Sequence, residues 1–237
     1  MTESEVLQNV SMEFPKTGMT AIVGESGCGK STAVSLLLGV YSPEKGRVTA
    51  GGRPLMDMSR DAYYAHLSLV SYNTYLFHTT VRENFTLVNP KISEEEIYEA
   101  LEKVNLLDLI RDRGGLDWII EEDGANLSGG QKQRLALAVN LAADQEIYIF
   151  DEATSNIDVE SEAIIMRNIR ALADSRNVIV ISHRLENVVD ADNIYYMESG
   201  CLKESGTHRE LMEKQGGYAR LYTAQKNLEK GYEEAEA

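Results

Sequence analysis

Apolar positions along the chain follow two periods, one near 2 and one near 3.6, and the order in which they alternate outlines the fold. Residues 5 to 14, "EVLQNVSMEF", alternate apolar with polar, which predicts a half-exposed strand before a turn at "PKTG". "MTAIV" (19 to 23) is a nearly continuous apolar run, the pattern of a buried strand, and helical spacing follows from about Ser31 to Gly39. "GRVTAGGRPL" (46 to 55) reads as a hairpin and "HLSLVSYN" (66 to 73) as a further strand. From about Thr80 to Ala142 strand signals stop. There "SEEEIYEALEKVNLLDLI" places apolar residues at 97, 101, 104 and within 107 to 110, behind a capping box from Ser93 to Glu96, and predicts a helical insert. "EIYIFDEA" and "NVIVISHR" are apolar, β-rich runs that each lead into helical sequence, and "NIYYM" with "CLKESG" closes the chain as a hairpin-like pair. Strands alternating with helices predict an α/β fold with a mostly parallel sheet covered on both faces.

Composition narrows what such a fold can do. The 237 residues are 43% apolar and 26% charged, ordinary for a globular chain, and the net charge is −15. That charge argues against a surface that coats nucleic acid, whose binding rests on phosphate neutralisation by Lys and Arg, so no nucleic-acid partner is expected. The apolar runs are too short to span a membrane and no signal peptide opens the chain, so the sequence as written is expected to be soluble. Two cysteines far apart, Cys28 and Cys201, suggest reduced thiols and a cytosolic setting rather than a disulfide framework. The acidic ending, 229 to 237, is expected to be a solvated tail.

Candidate chemistry sits at the strand ends. Gly24, Gly29, Lys30 and Ser31 fit G-x-x-x-x-G-K-[ST] between a buried strand and a helix, the setting in which backbone N–H groups and a helix N-terminus cradle phosphate. Lys30 would reach the β- and γ-phosphates and Ser31 would ligate Mg²⁺. The overall negative charge does not oppose this, because charges more than about 8 Å away are screened at physiological salt. "IYIFDE" delivers Asp151 and Glu152 to the carboxyl end of a buried strand, the first suited to Mg²⁺ and the second to polarising an attacking water. "VIVIS" brings His183 to a similar edge, whereas His66, His78 and His208 read as surface or packing residues. In "LSGGQKQR" a capping box joins Ser128 to Gln131, yet Gly129 and Gly130 fill the first helical positions, where glycine costs up to roughly 1 kcal/mol relative to alanine. Bare backbone at a helix N-terminus suits a phosphate, so the chain has a second phosphate cradle besides the lysine loop.

Taken in order, "GESGCGKST", "LSGGQ", "IYIFDEATSNID" and "ISHR", with a helical insert between the first two, resemble the nucleotide-binding domain of ATP-binding cassette (ABC) transporters over nearly the whole chain. "LFHTTVREN", "GANLSGGQ" and "GTHREL" resemble the exporter branch, in which this domain follows six membrane helices on one polypeptide. The resemblance implies a P-loop NTPase (RecA-like) core with a mostly parallel sheet, an antiparallel β subdomain and an inserted α-helical subdomain. The expected divisions are 1–79 for the part holding the phosphate loop, 80–142 for the helical subdomain, 143–228 for the rest of the core and 229–237 for the tail. It implies ATP and Mg²⁺ as ligands, with ATP held by Gly24, Glu25, Ser26, Gly27, Cys28, Gly29, Lys30, Ser31 and Thr32. Lys30, Glu152 and His183 would serve catalysis, and Ser31 and Asp151 the metal.

The same resemblance answers the puzzle of the second cradle. Ser128, Gly129, Gly130 and Gln131 would clasp the γ-phosphate of ATP bound to a second nucleotide-binding domain, in a homodimer or a heterodimer. Further implied partners are the transmembrane domain of a parent transporter and a place at the cytoplasmic face of the cell membrane. Two alternatives belong to other classes: a regulatory clamp that closes on ATP without turnover, and a soluble cassette ATPase of DNA repair or translation. The second would bring coiled coils or duplicated basic cassettes, and the sequence has neither.

The sequence departs from the family in three places. Asn156 and Ile157 stand in the dimer-crossing loop "SNID" where Ala and Leu are usual. The aromatic residue that stacks on adenine in the family normally precedes the first strand, which places it upstream of "MTESEVLQNV", so the chain is expected to be an excised piece. Stacking contributes on the order of 1 to 3 kcal/mol, so ATP binding is expected to be weaker by roughly 10- to 100-fold. Tyr72 replaces a glutamine whose amide oxygen contacts Mg²⁺, and a neutral phenol is a poor ligand for that ion. Tyr72→Gln is therefore expected to speed ATP hydrolysis and lower the Mg²⁺ concentration it needs; an unchanged rate and Mg²⁺ dependence would refute this role.

Overall fold

The computed structural model describes residues 6–71, 75–155 and 157–236, with side chains described as far as residue 228. Along the chain run β1 (Gly18–Gly24), α1 (Lys30–Leu37), β2 (Thr49–Ala50), β3 (Arg53–Pro54) and α2 (Arg60–Tyr64). Next come β4 (Leu67–Ser71), α3 (Val81–Val88), α4 (Glu94–Lys103), α5 (Leu107–Asp112), α6 (Gly129–Leu141), β5 (Ile147–Asp151) and α7 (Val159–Ala173). The chain ends with β6 (Asn177–Ile181), β7 (Asn193–Glu198), β8 (Cys201–Gly206), α8 (His208–Lys214) and α9 (Gly217–Glu236). These elements form two compact units, Met1–His66 with Asn177–Ala237, and Leu67–Arg176.

In the first unit the strands run in the order β6-β1-β7-β8. β1 is parallel to β6, from Gly18 opposite Asn177 to Ile22 opposite Ile181, and parallel to β7, from Thr20 opposite Asn193 to Gly24 opposite Met197. Its apolar run needs that central place, since Ala21, Ile22 and Val23 are all 0% exposed. Asp192 holds the start of the strand: its carboxylate accepts the Met19 N–H at 2.7 Å, and its own N–H donates to the Met19 carbonyl. β8 returns antiparallel to β7, and β2 and β3 form the short hairpin expected around "AGGR".

One expected strand is absent. Residues 6 to 14 form no ladder. They are tied at separate points instead: the Gln8 N–H donates to the Gly200 carbonyl, and Glu13 exchanges two bonds with the Tyr195 hydroxyl, at 2.9 and 3.0 Å. Asn9, at φ 51, interrupts the extended backbone that the alternating pattern implied.

The second unit pairs β4 with β5 in parallel, Leu67 opposite Ile147 through Ser71 opposite Asp151, and is otherwise helical. Three of its helices start at reciprocal side-chain caps. Thr80 with Glu83, Ser93 with Glu96 and Ser128 with Gln131 each form a reciprocal capping box, so two orphan N–H groups are satisfied at each entry. The helical spacing behind Ser93 buries Ile97, Leu101, Val104 and Ile110, none more than 1% exposed. That burial, rather than propensity, holds short helices such as α4 and α5. Among the described residues no helix is long and apolar enough to cross a membrane.

Candidate nucleotide site

In the first unit β1 ends at Gly24 and α1 begins at Lys30, so residues 25 to 29 must reverse the chain within five positions. Two glycines make the turn possible. A Cβ on Gly24, at φ 150, would lie 2.2 Å from the Met197 carbonyl oxygen and 2.8 Å from Cys28 Sγ. Gly29 caps α1 in the left-handed region at φ 107, with Leu7 Cδ2 2.6 Å from where its Cβ would be. Lys30 is only 5% exposed, and its Nζ donates to the carbonyls of Gly24 at 2.8 Å and Glu25 at 2.9 Å. An ammonium thus sits inside the curve of the loop with its protons partnered. No acidic residue occupies the first turn of α1. Positive charge from Lys30 and from the helix N-terminus therefore coincides at one loop, the requirement for holding phosphate. Glu25, Ser26, Gly27 and Ser31 are exposed, Thr32 is half-buried, and Cys28 is buried behind them, its Sγ 3.8 Å from Lys30 Nζ.

The same unit carries His183 just beyond β6. Its side chain is exposed, while its neighbours are tied down: Ser182 Oγ donates to the Arg184 carbonyl at 2.9 Å and accepts the Arg184 N–H at 3.0 Å. His208 has a packing role, with Nδ1 2.7 Å from the Tyr218 hydroxyl and its ring edge-on to Tyr222; burial, with Lys226 nearby, pushes its pKa down.

In the second unit β5 delivers Asp151 and Glu152, both half-buried. Glu152 adopts φ 53, a left-handed conformation that costs a non-glycine residue of order 1 kcal/mol or more and that persists where surrounding contacts enforce it. The contacts are visible. Gln133, 6% exposed on α6, donates from Nε2 to the Ala153 carbonyl at 2.6 Å, and the Thr154 hydroxyl donates to buried Glu162 at 2.7 Å. Gln133 was not singled out in the sequence; a polar residue on the buried side of a helix was its only signal. Asp158 caps α7 by accepting the Ser161 N–H at 2.9 Å, which, with the Ser161 hydroxyl and nearby Arg134, holds its carboxyl below the ordinary range.

At the start of α6, Ser128 Oγ accepts the Gln131 N–H at 3.2 Å and Gln131 Oε1 accepts the Ser128 N–H at 2.9 Å. Ser128 and Gly129 are exposed and Gly130 is half-buried. A Cβ on Gly129 would meet nothing within 4 Å, and its φ is not in the left-handed region. No acidic residue lies in this first turn, unlike those of α3, α4, α7 and α8. The helix therefore presents a capped, acid-free N-terminus to the outside, with a glycine for which the chain's own packing supplies no reason.

The structure thus places Gly24 to Thr32 and His183 in one unit, and Ser128 to Gln131, Asp151 and Glu152 in the other. Ile157 is buried, whereas Tyr72 and Asn156 lie outside the described residues. Among the described residues no three His, Cys, Asp or Glu side chains gather as a metal cage. Ser31 in the first unit and Asp151 in the second each carry a hard oxygen of the kind that Mg²⁺ takes.

Known proteins resemble the chain over nearly its whole length. A family profile described as "ABC transporter" matches residues 7–155, more than half of the chain. The chain is 47% identical over 235 residues to a protein of Haemophilus influenzae described as an ABC transporter ATP-binding protein, covering 99% of this chain and 42% of that one. It is 38% identical over 222 residues to an ATP-dependent lipid A-core flippase of Francisella tularensis, covering 93% and 36%. A solved bacterial Atm1-family ABC exporter with ATP bound superposes with a TM-score of 0.87 at 34% identity, covering 95% of this chain and 40% of that one. The chain spans about two fifths of the length of these relatives.

The burial of Cys28 gives a test of the loop. Its thiol, 5% exposed, is expected to react with a maleimide more slowly than that of half-buried Cys201, and the adduct at Cys28 is expected to abolish ATP binding. Peptide mass spectrometry paired with a nucleotide-binding assay checks both; full ATP binding by the Cys28 adduct would contradict the loop's assignment.

Proposed function

Because the chain belongs to the ABC transporter family, as an ATP-hydrolysing domain of the exporter type, we propose that two such domains close head-to-tail over two ATP molecules and reopen after hydrolysis to drive a membrane transporter. The observation that carries the pairing is the exposed turn at Ser128 and Gly129. It has the backbone freedom and the absence of negative charge that a phosphate needs, and no partner within its own chain explains the glycine.

In this reading the loop from Gly24 to Thr32 wraps the triphosphate. Lys30 neutralises charge on the β- and γ-phosphates, and Ser31 and Asp151 are the residues that would hold Mg²⁺. Mg²⁺, bound with the nucleotide, supplies further positive charge to the phosphate oxygens. Glu152 accepts a hydrogen bond from the attacking water, directs its lone pair at the γ-phosphorus and takes up its proton as the bond to the ADP oxygen breaks. His183 contacts the γ-phosphate or that water. Ser128, Gly129, Gly130 and Gln131 of the second domain close on the same γ-phosphate, so that positioning and charge stabilisation, rather than covalent chemistry, lower the barrier. The second domain is a copy of this chain or a similar partner. These domains work at the cytoplasmic face of a membrane, with ATP as the energy input, a reading supported by the likeness to an ATP-dependent flippase. Cargo is chosen by the membrane segments.

Glu152→Gln separates this reading from a clamp without turnover. The variant is expected to bind ATP as the native chain does, to accumulate as an ATP-bound dimer, and to lose turnover by about 10²- to 10⁴-fold. ATPase rates with sedimentation in the presence of ATP check it. Turnover in the variant equal to that of an active native chain would remove Glu152 from the chemistry, and a native chain that binds ATP without measurable turnover would favour the clamp.

A further inference from the structure

The His183 carbonyl and the Leu185 N–H lie beyond the last ladder position of β6, where the sheet no longer pairs backbone groups. Both are taken up by one side chain. Gln225, on the C-terminal helix α9, donates from Nε2 to the His183 carbonyl at 2.6 Å and accepts the Leu185 N–H on Oε1 at 3.0 Å. Reversing the amide would set like against like at both ends, so the pair of bonds also fixes its orientation. Leu185 is 1% exposed and starts the 3-10 turn Leu185–Val188, while His183 is exposed. The backbone on either side of Arg184 is thus clamped at two points while the imidazole faces outward. α9 is itself anchored, with Tyr218 0% exposed and bonded to His208. The neighbouring Lys226–Glu186 pair, 3.4 Å apart, joins the same elements at the surface, where such pairs contribute little.

We propose that Gln225 is a positioning residue for hydrolysis: by holding the two backbone groups that flank Arg184 it sets the direction of the His183 imidazole and couples the C-terminal helix to the γ-phosphate. The proposal rests on the reading of His183 given above. It needs no contact between Gln225 and nucleotide. Binding of ATP should therefore be spared and turnover reduced, since small misplacements of a reacting group cost rate rather than affinity.

Four variants test it in the full protein. Gln225→Leu removes both bonds: amide exchange at Leu185 is expected to accelerate at least about tenfold, kcat to fall about tenfold and the KM for ATP to stay within about twofold. Gln225→Glu keeps an acceptor for the Leu185 N–H but, when ionised, cannot donate to the His183 carbonyl. Its Leu185 protection should persist while kcat drops at neutral pH. Lys226→Ala, which loosens the same helix without touching the clamp, should keep its rate within about twofold. Unchanged Leu185 exchange in Gln225→Leu would overturn the clamp. Faster exchange with native kcat, alongside an inactive His183→Ala, would overturn the positioning role alone. A His183→Ala variant with native turnover would overturn both this proposal and the role of His183.

Discussion

The bonds from the Lys30 ammonium to the carbonyls of Gly24 and Glu25 set the curvature of the phosphate loop. A cation folded back on its own loop draws carbonyl oxygens to one side and leaves N–H groups for the other, which is how a short backbone turn becomes an anion receptor. This arrangement constrains what surrounds it. β1 must be flanked by β6 and β7 so that Gly24 ends against Met197, and no side chain can grow from Gly24 or Gly29. A buried lysine would be costly if unpaired; here the partners are built into the loop, so the charge is retained where a triphosphate would meet it.

The start of α6 uses the same physics in the opposite setting. The lysine loop is half-buried and sterically tight, whereas the turn at Ser128 and Gly129 is open. α3, α4, α7 and α8 each place a carboxylate in the first turn, which satisfies the positive end of the helix from within the chain. α6 leaves that end for something else. Gln133, two residues past the capping glutamine, ties α6 to the carbonyl next to Glu152, so the helix proposed to meet one nucleotide also supports the strained residue proposed to act on another.

Much of this was legible in the sequence because burial and capping leave local signatures. β1, β5 and β6 have continuous apolar runs since both faces of a central strand are covered, and the Ser93 and Ser128 boxes place both halves of each cap within four residues. Residues 6 to 14 differ from the expected strand because alternation reports which side chains face inward but not whether a neighbour offers backbone to pair with; here Glu13 finds the Tyr195 hydroxyl instead. The left-handed turn at Glu152 follows from contacts made by residues on α6 and α7, and nothing in "FDEA" encodes it. Gln225 was illegible for a related reason. Its partners are about forty positions upstream, and a glutamine on a polar helix looks the same whether it faces water or the end of a strand.

The account stands on a nucleotide shared between two molecules, with the lysine loop from one and the open glycine turn from the other. It is tested most directly by combining a Lys30→Ala chain with a Ser128→Arg chain and measuring ATP turnover of each alone and of the mixture. The account requires both to be inactive alone and the mixture to regain turnover, because the mixed pair contains one composite site with neither change. A mixture as inactive as its components, although the two chains associate, or full activity in either chain alone, would contradict it.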